Sequence, residues 1–302
     1  MDVQLPNLKG KEKNTLYFIG NGFDLFHEVK TKFIHFYSWL NLKDDEHESF
    51  AAEMENFFQS HGVHGNQLWR DFEKALGDID INYIQKQYSG VEDNVYFDEN
   101  FHQRAAQRLH RVANKIPFYL REWIKATDCS NVEPKMSLSK ESLYLSFNYT
   151  LLLENVYHIP KSQIVHIHHC YMDKEDLITG HNKGFPQWPD YPSNFNIEKA
   201  LQNISAEANA LRKPVQDVIK QHSNFFISLS NISNIIVFGH SLSAIDRPYF
   251  EEVLRHVHND AHWYFVCYDD NVKYMYQEIV EGQAYYGKKI IPANCKYINI
   301  SK

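Results

Sequence analysis

Two short, uninterrupted apolar runs, each stopped by a glycine, constrain this chain most. Leu16-Tyr17-Phe18-Ile19 ends at Gly20, and Ile235-Ile236-Val237-Phe238 ends at Gly239. A strand with one wet face alternates apolar and polar residues, so a run with no polar position reads as a strand buried on both faces. Leu143–Phe147, Ile164–His168, Trp263–Cys267 and Tyr297–Ile300 read as further strands, and Leu177–Thr179 as a shorter candidate. Between them lie residues at helical spacing. Phe33, Phe36, Tyr37 and Leu40 form one stripe; Phe50, Met54, Phe57 and Phe58 a second; Leu68, Trp69, Phe72, Ala75 and Leu76 a third. Phe101, Ala105, Leu109, Val112, Ile116, Leu120 and Trp123 predict a long helix that Pro117 should bend or restart. Residues 151–157 and 196–230 also read as helical, the latter broken at Pro214, and Asp246-Arg247-Pro248 opens a helix bearing Phe250, Val253, Leu254 and Val257.

Strands alternating with helices predict an α/β fold, a mostly parallel sheet with helices on both faces. The sheet is expected from residues 15–20 and 140–302 of a single domain, 1–302. Segment 30–135 is expected as a large helical insertion after the first strand.

Composition narrows the function classes. The 302 residues carry 31 basic and 38 acidic side chains, a net charge of −7, which argues against a strongly basic nucleic-acid wrapper. Arg104, Arg108 and Arg111 share a helix face that reads as solvated. The four cysteines, Cys129, Cys170, Cys267 and Cys295, contain no CxxC pair and are too sparse for a disulfide scaffold. No secretory h-region and no long apolar span is visible, so a cytoplasmic protein away from membranes is expected.

In open α/β sheets, ligands bind beyond the carboxyl ends of the strands. The polar clusters sit there: Gly20-Asn21-Gly22-Phe23-Asp24, Ser146-Phe147-Asn148-Tyr149-Thr150, His166-Ile167-His168-His169-Cys170, and Gly239-His240-Ser241 running on to Asp246. Gly20-x-Gly22 reads as a turn that lets backbone approach a phosphate, or as a plain tight turn. The full dinucleotide fingerprint fails, because position 25 is Leu. Asp24 suits a ribose hydroxyl or a helix cap. Asn148 suits a sugar, a water or an Asx turn. His166 and His168 are expected on one strand face, with His169 on the other. Their chemistry, near His181, is that of a general base or of a metal ligand set completed by Cys170 or a distant Asp; the base is favoured, since no zinc spacing is present. Gly239, His240 and Ser241 form a second candidate phosphate or ribose loop, and Asp246 reads as a helix cap that can also touch ligand.

The blocks GNGFDLFHEVKTKF (20–33), WRDFEKAL (69–76), SFNYT (146–150), HIHH (166–169) and FGHSLSAIDRPYF (238–250) resemble the AbiH family of bacterial phage abortive-infection proteins. More distantly, their order resembles the Rossmann-like, sirtuin-like NAD-binding fold. That resemblance implies Gly20, Gly22, Gly239 and Ser241 at a cofactor, Asn148 near the nicotinamide ribose and His168 as the catalytic histidine. Asp24 stands where sirtuin-like proteins usually have Ser, and His169 where they have Gly. Without zinc cysteines or a deacetylase module, the resemblance implies nucleotide binding and NAD cleavage, not protein deacetylation.

Three functions follow as expectations. The first is an antiphage enzyme that binds a nucleotide, NAD foremost, through residues 20–24, 239–241 and Asp246. It would hydrolyse the nicotinamide–ribose bond with Asn148 and His168 and use no metal. The second is a metal-dependent phosphoesterase or nuclease using Asp24, His166, His168, His169, His181 and His240. The third is a non-catalytic nucleotide-sensing adaptor. A phage-derived trigger or defence partner is expected, as is a homo-oligomer. The aromatic-rich insertion would serve as a lid or a subunit interface. Glu73, in the WRDFEKAL block, reads as a salt-bridged or solvated glutamate, with a site role as the sharper alternative.

Overall fold

All the strands of the sheet run the same way. A computed structural model describes residues 5–59, 63, 65–78, 99–127, 129, 131–184, 202, 205, 206, 208–281 and 294–300. Its strands are β1 (Thr15–Ile19), β2 (Leu143–Ser146), β3 (Ile164–His166), β4 (Asn234–Phe238), β5 (His262–Cys267) and β6 (Cys295–Asn299). They form one six-stranded sheet in the order β3-β2-β1-β4-β5-β6, every pair parallel. This is the 3-2-1-4-5-6 order of doubly wound Rossmann sheets, with its switch point between β1 and β4.

The chain divides into two compact units. The first comprises Met1–Thr31, Ile124–Glu175 and Pro214–Lys302; the second comprises Lys32–Trp123 and Asp176–Lys213.

The first unit holds the sheet. β1 and β4 are buried at all their positions, as their unbroken apolar runs require. Alternate residues face opposite sides. Tyr17, Ile19, Tyr144, Ile236, Phe238 and Val266 pack with Phe23 and Phe26 of α1 (Asn21–Phe26) and with Leu152 and Leu153 of a short helix, Leu152–Asn155. On the other side, the rings of Phe18 and Trp263 meet Phe250 of helix Arg247–His256, and Phe265 meets Tyr276 of helix Asp270–Glu281. Each such buried apolar side chain contributes roughly 1.5–3 kcal/mol.

The second unit is helical: α2 (Phe33–Lys43), α3 (Asp45–Gln59), α4 (Gly65–Arg70), α5 (Phe72–Leu76) and most of α6 (Glu99–Ala126). Its predicted stripes are its core. Phe36, Leu40, Phe50, Met54, Leu68, Phe72, Val112, Ile116 and Leu120 are all buried. Pro117 sits inside α6, which continues through it rather than restarting. Arg111 is exposed and lies 3.6 Å from Glu53; the side chains of Arg104 and Arg108 lie outside the described residues.

Further helices are α7 (Leu152–Asn155), α8 (Val215–Gln221), α9 (Ser223–Ser228), α10 (Arg247–His256) and α11 (Asp270–Glu281). Leu177–Thr179 forms no strand; the nearby pairing is a single bridge between His181 and Arg212. All four cysteines are free thiols. No helix among the described residues is long and apolar enough to cross a membrane.

Candidate functional site

The carboxyl ends of β1 and β4, side by side at the switch point, carry the glycines. Gly20 has an extended backbone and starts α1 directly, so the segment read as a turn is helical and Asp24 lies inside the helix rather than capping one. The glycines let two backbones touch. A Cβ on Gly20 would stand 2.5 Å from the His240 Cα, and one on Gly239 would stand 2.3 Å from the Phe23 nitrogen. Gly239 also has a φ of +68, a region that favours glycine. The Gly22 N–H donates to the Gly239 carbonyl at 2.8 Å, and the Phe23 N–H to the Gly20 carbonyl at 2.8 Å. The Gly22 amide is therefore engaged in joining the two loops, and the Phe23 amide in closing the start of α1. Tyr268, just past β5, donates its hydroxyl to the Gly22 carbonyl, and Tyr276 donates to the His240 carbonyl at 2.7 Å.

Phe23 is a core residue, its ring against Tyr157 and Phe238. Asn21 is exposed but bonded through both side-chain atoms to Thr31: Nδ2 donates to the Thr31 carbonyl at 2.9 Å, and Oδ1 accepts from Thr31 Oγ1 at 2.5 Å. Ser241 is exposed at the start of the loop after β4.

Asp24 and Asn148 meet. Asp24 is 1% exposed and accepts from Asn148 Nδ2 at 2.7 Å and from Thr150 Oγ1 at 2.9 Å. Burial pushes its carboxyl up to about 7, opposed by the hydrogen bonds from Thr150 and Asn148 and by the charge of His166. Asn148 is 6% exposed, and its Oδ1 is buried with no hydrogen-bond partner. A buried amide oxygen left without a donor is uncommon and costly, and it marks a place where a donor belongs.

The histidines separate. β3 stops at His166, so strand alternation does not extend to His168. His166 turns to the Asn148 carbonyl (3.1 Å from Nδ1) and to Glu154 of α7 (2.9 Å from Nε2). His168 lies 3.4 Å from Asp246 through Nε2, and His240 lies 3.7 Å from the other Asp246 oxygen. Both separations are longer than good hydrogen bonds. His240 Nδ1 accepts from the Leu242 N–H at 2.9 Å, so its Nε2 carries the proton that faces Asp246. Asp246 occupies the N-cap position of α10 but makes no capping bond with its side chain; its carboxylate serves the histidines instead. The Phe147 ring packs edge-on against both imidazoles, with centroids 5.2 Å from His168 and 4.2 Å from His240. Phe147, which precedes Asn148 in the chain, thus packs the end of β2 against the His168–Asp246–His240 group. His169 adopts a φ of +61, a left-handed conformation that favours glycine.

His181 belongs to the second unit, where its Nε2 donates to the Ala208 carbonyl at 2.8 Å. No group of three or more His, Cys, Asp or Glu among the described residues is arranged to hold a metal ion.

A family model described as bacteriophage abortive infection AbiH matches residues 16–268. The chain belongs to the AbiH family. Comparison with curated proteins and with solved structures gave no match. The AbiH match runs from β1 through Tyr268, so it contains Asp24, Asn148, His166, His168, His240 and Asp246. In the AbiH block at 69–76, Glu73 pairs with Lys213 of the same unit at 2.7 Å, and the Lys213 side chain is fully buried. Thr150, Glu154, Tyr268 and Lys213 were not singled out from sequence. Thr150 lies within a matching block, and Tyr268 follows a strand end. Glu154 and Lys213 carry no local signal.

Proposed function

We propose that this AbiH chain acts in abortive infection by binding a nucleotide, NAD foremost, beyond the ends of β1, β2 and β4, and by hydrolysing its nicotinamide–ribose bond. The carrying observation is the buried, unpartnered Oδ1 of Asn148, whose amide nitrogen is fixed on Asp24. Oδ1 can only accept, and a ribose hydroxyl is a donor that a nucleotide offers. Ser241, exposed after β4, takes the phosphate side, since the amides of Gly22 and Phe23 are engaged.

Hydrolysis breaks the bond from C1′ to the nicotinamide nitrogen while water attacks C1′. Nicotinamide leaves neutral, positive charge develops on the ribose, and one proton is released. Asn148 Oδ1 stabilises the charged ribose through its hydroxyl, with the Asp24 carboxylate behind the amide. His168 takes the proton, and Asp246 beside it stabilises the resulting imidazolium.

The test is nicotinamide release from NAD by the purified protein, and in cells expressing it during phage challenge. Release by the wild type and its loss in Asn148→Ala and His168→Ala are expected. Release unaffected by both changes overturns the site. NAD binding without release, retained in His168→Ala, replaces the enzyme with a nucleotide sensor.

A further inference from the structure

The end of β3 places a histidine between two acceptors. A carbonyl oxygen only accepts, so His166 Nδ1 carries a proton toward Asn148. On its other side, Nε2 lies 2.9 Å from Glu154 Oε1, so the ring bridges the Asn148 main chain and the Glu154 carboxyl group. The two side chains are 11% and 12% exposed, so this contact is shielded from water. Asn148 is consequently gripped at both ends. Its main-chain carbonyl is held by the imidazole and its side-chain nitrogen by Asp24, and Oδ1 is left without a hydrogen-bond partner.

We infer that His166 and Glu154 are positioning residues that clamp Asn148 so that Oδ1 is presented to its ligand in one orientation. The inference rests on the nucleotide reading only for the identity of that ligand. Glu154 comes from α7, His166 from β3, Asn148 from the segment after β2 and Asp24 from α1. No local turn requires these four groups to converge. Holding a binding residue from both sides before the ligand arrives removes an ordering cost from binding. An ion pair that merely tied α7 to β3 would alter stability and leave the Asn148 side chain undisturbed.

The test uses the full chain, calorimetry with NAD, and the side-chain amide signals of 15N-labelled protein. The Asn148 pair is identified by its absence in Asn148→Ser. In His166→Leu and Glu154→Leu, that signal should move and NAD affinity should fall on the order of ten-fold. Glu154→Gln can donate an amide N–H to Nε2 and leave Nδ1–H in place, so signal and affinity should return toward wild type. Should His166→Leu not fold, His166→Asn keeps a donor near Nδ1 and should retain the wild-type signal. An unmoved Asn148 amide in folded Glu154→Leu, or Glu154→Gln as damaging as Glu154→Leu, overturns the clamp. Wild type that does not bind NAD overturns the nucleotide reading instead. The clamp is then decided by the amide signal alone: movement in Glu154→Leu with recovery in Glu154→Gln sustains it, and any other pattern refutes it.

Discussion

Gly22 and Gly239 meet backbone to backbone: a Cβ on Gly22 would stand 2.6 Å from the Gly239 Cα. The loops after β1 and β4 close on each other through positions that leave no space for a side chain. Gly239→Ala adds a clash with the Gly22 and Phe23 backbone to an unfavourable positive φ. It should destabilise the protein by about 2–4 kcal/mol. Urea unfolding should show this as a lower midpoint at unchanged slope. A neutral Gly239→Ala would mean that the loops do not pack this way.

Asp24 should make stability depend on pH. Its carboxyl is held at about 7 in the fold, against an ordinary value of 3.8. The folded state therefore binds the proton more tightly than the unfolded chain does. The contribution is fully present below about 3.8 and is lost as pH rises through about 7. Asn at this position can accept from Asn148 and donate to Thr150. Measured against Asp24→Asn, the wild type should lose stability between pH 4.5 and 8. A constant difference across that range would show that Asp24 is ionised throughout.

Asp246 faces two buried imidazoles. Asp246→Ala should cost about 1–3 kcal/mol, because a buried N–H of His240 loses the carboxylate it faces. Asp246→Asn should cost less and still abolish nicotinamide release, since it keeps the shape but not the charge beside His168. Paired denaturation and nicotinamide assays on the two variants separate these effects.

The Glu73–Lys213 pair should behave as a buried ion pair. Glu73→Ala leaves a fully buried ammonium beside a lost carboxylate and should destabilise by about 3–5 kcal/mol. The double variant Glu73→Leu with Lys213→Met should recover much of that loss. A double-mutant cycle in urea reads the coupling, and strict additivity would show that the two charges do not depend on each other.

Much of this architecture was legible because burial writes itself into sequence. Leu16–Ile19 of β1 and Ile235–Phe238 of β4 have no polar position, and the stripes around Phe36, Phe50 and Val112 bury one face of each helix. Local boundaries were less legible. α1 starts at Gly20 with no side-chain cap, so nothing but a glycine marked it and a turn was the natural reading. The strand read to His168 ends at His166, because pairing with β2 stops at Ser146. Asp24 and Asn148 could each be singled out at a strand end, but their contact spans 124 residues and leaves no periodic trace. Asp246 read as a cap from its place before Arg247-Pro248, whereas its partners, His168 and His240, come from the segments after β3 and β4, which no local pattern reveals. Glu154 looks in sequence like any polar position on a short helix.

The strand order also bears on how the chain is made. β1 sits in the middle of the sheet, yet its neighbours begin only at Leu143 and Asn234. During synthesis from the N-terminus, Leu16-Tyr17-Phe18-Ile19 emerges long before either flank exists. A sticky apolar ribbon must wait on the ribosome while more than a hundred residues follow. Yield of this protein should therefore respond to chaperone supply and translation speed more than its finished stability would suggest.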